Sequence, residues 1–459
     1  MSRRSRNPIA SLHEAPAVRA AAGALLDAVA AEAASRMLSP EAYAKAVHDI
    51  ERLRGRDLFF PVLAAGPGQG ARVRLADGTQ LLDFVGGIGV YALGHSDRDL
   101  LETAVVAAAS DTAFQGNLVP GVESLRLARL LVKHAGPRLR HCWLSVSGAM
   151  ANENALKMIF QHHAPADRIV VFENGFAGRT TTLAELTDKP AFREGLPLRG
   201  NILHVPFYDP ADPDSSERSL AALDAHLRRY PGQVAGMLFE LVQGEGGFNT
   251  APREFFLALM QRCREAGVAV WVDEVQTFAR TGELFAFQTL DLAAHVDVVT
   301  VGKVLQGSAV LFRKAYNPRP GLVAGTYAGA TVGMAVGARI IERLESEAYL
   351  GAEGRVALLG RRVAKRFEVL RKHLPRAVGP ASGIGAMQAF VPFKGQPEVT
   401  RAVIQAAFRE GLLVFGAGRD PMKIRMLLAI NITDEELEAG FTLLEKALRQ
   451  VGEERGLPC

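Results

Sequence analysis

An aspartate and a lysine stand just beyond two successive apolar runs of the chain. Asp273 follows the run 268–272, and Lys303 follows the run 298–301 after one glycine. Burying a carboxylate is costly unless a cation or hydrogen-bond donors compensate its charge, so an acid in this position needs a partner. The two side chains could form a simple salt bridge, or they could be the acid and the amine of a catalytic site.

Pyridoxal phosphate chemistry uses this pair of groups. A lysine amine forms a Schiff base with the cofactor, and a carboxylate keeps the pyridine nitrogen protonated so that the ring accepts the electrons of a carbanion. The small-residue turn Ser147-Gly148-Ala149 precedes a predicted helix, whose first backbone N–H groups and dipole favour a phosphate. An ordinary tight turn explains the same three residues equally well.

Other candidates are weaker when each is taken alone. Phe176 lies beyond the run 169–172, where an aromatic ring can stack on a planar ligand or pack in the core beside a turn. Arg179 could be an ordinary surface ion-pair partner. His162 and His163 have no partner at the spacing of metal ligands, so no metal site is predicted.

The elements that would position these residues alternate in type along the middle of the chain. Helical stretches separate short, almost wholly apolar runs: 142–146, 169–172, 237–241, 268–272 and 298–301. This pattern predicts an α/β fold in which helices cover both faces of a mostly parallel sheet. Ligands of such a sheet gather outside the carboxyl ends of its strands, which is where the candidate residues stand.

The two ends of the chain have a different pattern. Helices are predicted before residue 60, followed by two short strands around the turn Asp77-Gly78. Beyond residue 340, long helical patterns flank strand-like runs at 385–391 and 412–415. We therefore predict an N-terminal helical segment with small strands (1–75), a large cofactor-binding domain (76–336) and a C-terminal small domain (337–459), with both termini contributing to a smaller α+β unit.

Composition and charge exclude several classes of protein. The 459 residues are 48% hydrophobic and 22% charged, which is typical of a globular chain. Three cysteines are too few for a disulfide framework, which favours a reducing, cytoplasmic location. A net charge of +4 and the absence of an aromatic-basic module predict no nucleic-acid partner. Charged residues interrupt the apolar stretch 20–37, so no membrane span is predicted, and the basic residues Arg3, Arg4 and Arg6 are expected to precede a surface helix.

Taken together, the motifs resemble those of the class III (ω-) pyridoxal-phosphate aminotransferases, above all the acetylornithine, ornithine, putrescine and 4-aminobutyrate group. The resemblance covers roughly residues 70–450 and implies a transaminase of fold type I with pyridoxal 5′-phosphate as cofactor. The motifs that carry it are Ser147-Gly148-Ala149 with Ala151-Asn152-Glu153, Phe176-x-Gly178-Arg179-Thr180, Glu240-x-Val242-Gln243-Gly244-Glu245, Asp273-Glu274-Val275-Gln276-Thr277, Gly302-Lys303 and Gly325-Thr326-Tyr327.

The resemblance implies a role for each residue around the cofactor ring. Lys303 would carry the cofactor and then move the proton between substrate carbon and cofactor, and Asp273 would hold the ring nitrogen. Gln276 would approach the ring hydroxyl. Val275 would back one face of the ring, and Phe176 would cover the other.

The resemblance also implies how the phosphate is held. Ser147, Gly148 and Ala149 would bind it, the latter two through backbone groups. Thr326 would reach the phosphate of the neighbouring subunit, which implies a homodimer as the active unit.

Three residues are implied in substrate recognition. Arg425 resembles the arginine that binds the α-carboxylate of glutamate, and Glu245 matches the glutamate that pairs with this arginine when an ω-amine occupies the site. Arg179 resembles a second carboxylate-binding arginine. The sequence departs from the family at Ala177, where His or Trp is usual, and at Met150, where Glu is usual. The segment after Lys303 is shortened as well.

The sequence thus predicts an aminotransferase that moves the ω-amino group of a diamine-type amino acid, such as ornithine, acetylornithine or lysine, to 2-oxoglutarate by a ping-pong mechanism. An aminomutase or amino-acid epimerase of the same fold is the main alternative. A pyridoxal-phosphate-binding protein without turnover is the second.

Overall fold

The computed structural model describes residues 12–114, 116 and 118–459. The basic residues Arg3, Arg4 and Arg6 lie outside this range. Every helix in this described part of the chain is either too short or too polar to span a lipid bilayer.

Helices and strands alternate through most of the chain. The helices are α1 Pro16–Ser35, α2 Pro40–Arg54, α3 Gly86–Gly89, α4 Arg98–Ser110, α5 Val122–Ala135, α6 Gly148–His163, α7 Thr181–Leu186, α8 Ser215–Arg229, α9 Arg253–Glu265, α10 Ala286–Thr289, α11 Thr331–Ser346, α12 Arg355–His373, α13 Pro397–Arg409 and α14 Asp434–Arg455. The strands are β1 Arg72–Arg74, β2 Gln80–Asp83, β3 His141–Ser145, β4 Arg168–Phe172, β5 Ile202–Val205, β6 Val234–Phe239, β7 Val242–Gln243, β8 Asn249–Thr250, β9 Ala269–Glu274, β10 Val298–Val301, β11 Ser308–Phe312, β12 Val378–Ile384, β13 Met387–Pro392, β14 Leu412–Leu413, β15 Phe415–Ala417 and β16 Lys423–Leu427.

A seven-stranded sheet forms the centre of the molecule, in the order β3-β11-β10-β9-β6-β4-β5. Neighbouring strands from β10 to β5 are parallel, whereas β11 runs antiparallel to both β10 and β3. The strand β3 therefore points the same way as β10. The predicted α/β fold with a mostly parallel sheet is confirmed, and the carboxyl ends of β3, β4, β6, β9 and β10 meet at one edge.

The strands of this sheet are apolar almost throughout because both sheet faces are covered. In β9, Val270 and Val272 belong to a core cluster that includes Leu131 of α5 and Phe256 of α9. Trp271, between them, belongs to a second cluster built around α6. Successive strand residues point to opposite faces, so each finds an apolar neighbour and the sequence reads as a continuous apolar run.

The two ends of the chain meet in smaller sheets. β2, near the N-terminus, pairs antiparallel with β1 and parallel with β14 from the C-terminal part. β12, β13, β16 and β15 form a separate four-stranded sheet. The predicted strand at 412–415 is two strands, β14 and β15, which belong to different sheets. The domain boundaries at 75/76 and 336/337 remain a prediction.

Two strand ends differ from the sequence expectation, and both lie at the functional edge. β9 extends through Asp273 and Glu274 rather than ending at residue 272. β6 ends at Phe239, so Glu240, which the predicted run 237–241 included, lies beyond the strand. The antiparallel strand β11 was also not predicted, because its run directly follows Lys303 without an intervening helix.

Candidate active site

A cavity of about 400 Å³ lies at the edge where the parallel strands end. That volume suits a small organic cofactor together with a substrate. Nine residues predicted from the sequence line it: Gly148, Ala149, Phe176, Arg179, Glu245, Asp273, Val275, Gln276 and Lys303. Strands β3, β4, β6, β9 and β10, and the loops that follow them, therefore bring together side chains that are far apart in the sequence.

Asp273 lines this cavity and is only 7% exposed. Its Oδ1 accepts from the backbone N–H of Val275 at 2.8 Å, and its Oδ2 accepts from Nδ2 of Asn152 at 2.7 Å. Burial raises the pKa of Asp273 to about 6, against the opposing effect of these two donors and of the Lys303 charge. The carboxylate is therefore ionised at neutral pH and is suited to hold a cationic ring N–H.

Lys303 follows β10 and begins a single 3₁₀ turn, Lys303–Leu305. Its φ of 47° lies in the left-handed region, which is uncommon for a residue with a side chain and often marks a functional position. Burial, together with the positive charge of Arg425, lowers the pKa of Lys303 to about 8, against the opposing effect of the nearby carboxylates. A large fraction of this amine is consequently neutral near pH 8, as a nucleophile must be.

The turn between β3 and α6 provides backbone donors beside the cavity. Ser147 is the N-cap of α6, and its hydroxyl accepts from the N–H of Met150 at 3.2 Å. The hydroxyl of Ser147 is thus used within the helix, and Ser147 itself does not line the cavity. A Cβ atom on Gly148 would come within 2.6 Å of Cγ1 of Val275. Glycine therefore lets the helix N-terminus approach the residue predicted to back the ring.

Two buried polar atoms at the cavity lack protein partners. The Oε1 atom of Gln276 and the Oδ1 atom of Asn152 accept no hydrogen bond from any described residue. Leaving such atoms unsatisfied is unfavourable, so they indicate a polar ligand. Together with the helix N-terminus, the ionised Asp273 and the partly neutral Lys303, they fit a phosphorylated pyridine aldehyde, the chemistry of pyridoxal phosphate.

Glu240 is a second buried acid on the cavity wall, and its place in a family motif implied no role for its side chain. Its Oε2 accepts from the N–H of Phe176 at 2.7 Å, and its Oε1 accepts from the N–H of Gly244 at 3.1 Å. Burial raises the pKa of Glu240 to about 8, and the charge of Asp273 adds to the effect. Glu240 thereby ties the loop that carries Phe176 to the loop that carries Glu245.

Arg425 lies behind Glu245, away from the cavity wall, and is 1% exposed. Its Nη2 is 2.6 Å from Oε1 of Glu245, and its Nη1 donates to the backbone oxygen of Gly244 at 3.1 Å. Its Nε has no acceptor in the described part of the chain. Burial alone would raise the pKa of Glu245, but the charges of Arg425 and Lys189 hold it below its usual range. The glutamate therefore covers the arginine as an ionised partner.

The remaining predicted residues lie at or beyond the rim of the cavity. Arg179 is exposed, and its guanidinium carbon lies 3.9 Å from the ring centroid of Phe192, a cation–π contact. Thr326 is exposed and does not line the cavity of its own chain. The structure contains one chain, so the role of Thr326 at a neighbouring subunit remains a prediction.

Known proteins provide an independent comparison. A model of the aminotransferase class-III family matches residues 25–448. A 2-aminoadipate transaminase of Pseudomonas putida is 32% identical over 404 residues, which cover 84% of this chain and 95% of the relative. An acetylornithine aminotransferase of Mycolicibacterium smegmatis is 32% identical over 402 residues, covering 86% of this chain and 95% of the relative. A probable 4-aminobutyrate aminotransferase of Bacillus subtilis is 31% identical over 408 residues, with 83% and 92% covered.

Solved structures share the fold at lower sequence identity. A lysine aminotransferase from M. tuberculosis superposes with a TM-score of 0.79 at 24% identity, covering 88% of this chain and 99% of that one. An aminotransferase from Bacillus anthracis superposes with a TM-score of 0.81 at 20% identity, covering 90% and 100%.

The family match spans both the central sheet and the C-terminal sheet. Enzymes of this family use pyridoxal phosphate, which is the cofactor that the cavity fits. By sequence and by fold, the chain belongs to the class-III aminotransferases.

Proposed function

We propose that this enzyme transfers the ω-amino group of an amino acid that carries its own carboxylate, of the ornithine, acetylornithine or lysine type, to 2-oxoglutarate. The observation that carries the proposal is the ion pair between Glu245 and Arg425, in which Oε1 of the glutamate lies 2.6 Å from Nη2 of the arginine. An arginine that can be masked or exposed lets one pocket serve two unlike half-reactions, because bidentate guanidinium binding of a carboxylate is strong.

In the donor half-reaction, Glu245 keeps Arg425 neutralised while the ω-amine enters. When bound, the cofactor supplies an electron sink for the carbanion that forms as the substrate loses its proton. The amine of Lys303 would take this proton from the substrate carbon and would hold it for the proton transfer that follows. Asp273 stays ionised and holds the ring nitrogen in its protonated form. Arg179, at the rim, binds the donor's own carboxylate.

In the acceptor half-reaction, Glu245 moves aside and Arg425 binds the α-carboxylate of 2-oxoglutarate. Its free Nε and its Nη2 form the bidentate face for this contact. The names of the relatives support an amino acid donor: 2-aminoadipate, acetylornithine and 4-aminobutyrate all carry a carboxylate.

We further propose a homodimer in the cytoplasm. Tyr327, next to Thr326, is 65% exposed. Val122 and Leu125 are also exposed and line a surface groove to which Ala328 contributes. Apolar surface of this kind indicates an interface with another protein surface. The three cysteines are not paired with each other, which agrees with a reducing compartment.

Single-turnover reactions test the proposed substrates. The holoenzyme is mixed with ornithine, N-acetylornithine, lysine, 4-aminobutyrate or putrescine, and the absorbance of the bound cofactor and the oxo product are measured. We expect carboxylate-bearing donors to react faster than putrescine and to release an oxo acid. Return of an isomer of the substrate, without net loss of the amino group, would instead identify a mutase or epimerase.

A further inference from the structure

Lys189, which neither motif nor comparison assigns, is a second cation beside Glu245 and lies just outside the cavity lining. Its Nζ lies 3.5 Å from Oε2 of Glu245, whereas Nη2 of Arg425 lies 2.6 Å from Oε1. The two cations therefore contact different oxygens of one carboxylate. Within the described residues, Glu245 is the only carboxylate that pairs with Lys189.

The two cations differ in exposure and in how they are held. The side chain of Arg425 is 2% exposed and anchored to the backbone of Gly244, whereas that of Lys189 is 36% exposed. The amine of Lys189 also lies 4.5 Å from the ring centroid of Phe192, which keeps it at the rim. A flexible ammonium can follow a moving carboxylate, while a planar guanidinium is better suited to grip a new one.

Opening the pair between Glu245 and Arg425 raises an electrostatic difficulty. The side chain of Glu245 is only 17% exposed, and a largely buried carboxylate that loses its counter-ion is strongly disfavoured. The contact with Lys189 is made by the other oxygen, so Lys189 can keep it while Glu245 moves away from Arg425. The flexible ammonium can also approach the carboxylate more closely once Glu245 has left the guanidinium.

We propose that Lys189 is a positioning residue that compensates the charge of Glu245 while Arg425 binds a substrate carboxylate. It thereby sets the affinity of the site for the dicarboxylic 2-oxo acid and leaves the amine donor almost unaffected. This inference rests on the proposed function, since it requires Arg425 to be the carboxylate-binding group.

Binding of a non-reacting dicarboxylate tests the proposal without turnover. Glutarate is titrated into the holoenzyme by calorimetry, for the wild type and for Lys189→Met, Lys189→Arg and Lys446→Met. Lys446 forms a comparable pair with Glu410 at 2.6 Å on the exposed side of α14, so Lys446→Met controls for loss of one lysine charge. We expect Lys189→Met to raise the dissociation constant about tenfold, or about 1.4 kcal/mol. Lys189→Arg should restore most of the affinity, and Lys446→Met should not change it.

Two further measurements separate positioning from a structural role. When the two half-reactions are measured separately, Lys189→Met should raise the apparent dissociation constant for 2-oxoglutarate. The apparent dissociation constant for the amine donor should change by less than about twofold. In a Glu245→Gln background, Lys189→Met should have no further effect, because a neutral amide needs no counter-ion. Equal effects on both substrates, or an unchanged effect in the Glu245→Gln background, would overturn the proposal.

The outcomes also distinguish this proposal from the one it rests on. If Arg425→Ala leaves glutarate binding intact, the carboxylate role of Arg425 is wrong and the role of Lys189 falls with it. If Arg425→Ala abolishes binding and Lys189→Met does not weaken it, only the inference about Lys189 is wrong. A Lys189→Met variant that weakens a carboxylate-bearing donor but not glutarate would instead make Lys189 a direct donor-binding residue.

Discussion

Replacing Glu245 by glutamine removes the carboxylate that covers Arg425 while keeping its size. In the wild type, an incoming 2-oxo acid must first break a charge-assisted contact of 2.6 Å. Hydrogen bonds to charged groups contribute about 1.5–3 kcal/mol. The glutamate side chain is 17% exposed and partly screened, so we take the lower end of that range.

The expected effects of Glu245→Gln have opposite signs for the two substrates. About 1.5 kcal/mol corresponds to an apparent dissociation constant for 2-oxoglutarate that is about tenfold lower. The amine donor should bind or react about tenfold less well, because its ammonium and methylene groups now meet an uncompensated guanidinium.

Stopped-flow absorbance of the bound cofactor measures the two half-reactions separately. Glu353→Gln is the matched control, since Glu353 pairs with Arg361 at 2.9 Å on the surface, where its side chain is 85% exposed. That control should leave both constants unchanged. If Glu245→Gln shifts both half-reactions in the same direction, or shifts neither, the reasoning about a masked arginine is refuted.

Three other predictions concern the cofactor. Asn152→Leu leaves Asp273 with one hydrogen-bond donor in place of two, so the pKa of Asp273 should rise above about 6. Cofactor affinity, measured by fluorescence titration, should then fall about tenfold. An unchanged affinity would contradict this prediction. Gly148→Ala places a methyl group 2.6 Å from Cγ1 of Val275, and the resulting overpacking of about 1–3 kcal/mol should weaken cofactor binding more than it lowers the melting temperature. Covalent capture of the cofactor by Lys303 in apoprotein needs the neutral amine, so its rate should rise with pH through about 8 and then level off; a rate still rising toward pH 10 would show an unperturbed lysine.

Much of the site could be predicted because the family motifs stand where ligands of a parallel sheet bind, at the carboxyl ends of its strands. Asp273 and Lys303 follow runs whose apolar character requires burial on both faces, and parallel strands bring their carboxyl ends to one edge. The sequence also predicted the pairing of Glu245, in the turn between β7 and β8, with Arg425 on β16, but only through resemblance. No local pattern connects positions so far apart.

The roles of three residues could not be predicted from the sequence, and each case has a physical reason. Glu240 belongs to a family motif but received no role, because the strand was predicted to continue past it, whereas β6 ends at Phe239. Asn152 lies inside α6, and only the packing of that helix against the sheet shows that its amide reaches Asp273. Lys189 lies in an irregular loop after α7, where no periodicity indicates the direction of a side chain. Strand boundaries and loop contacts depend on tertiary structure, which a single sequence does not contain.

We predict that Lys303 is the residue that holds the cofactor. The protein is incubated with pyridoxal phosphate, reduced with borohydride, digested and mapped by mass spectrometry. We predict the reduced cofactor on the peptide that contains Lys303, and no stable attachment in Lys303→Ala at the same cofactor concentration. Attachment to Lys189 or Lys423 instead, or no attachment at all, would contradict the account.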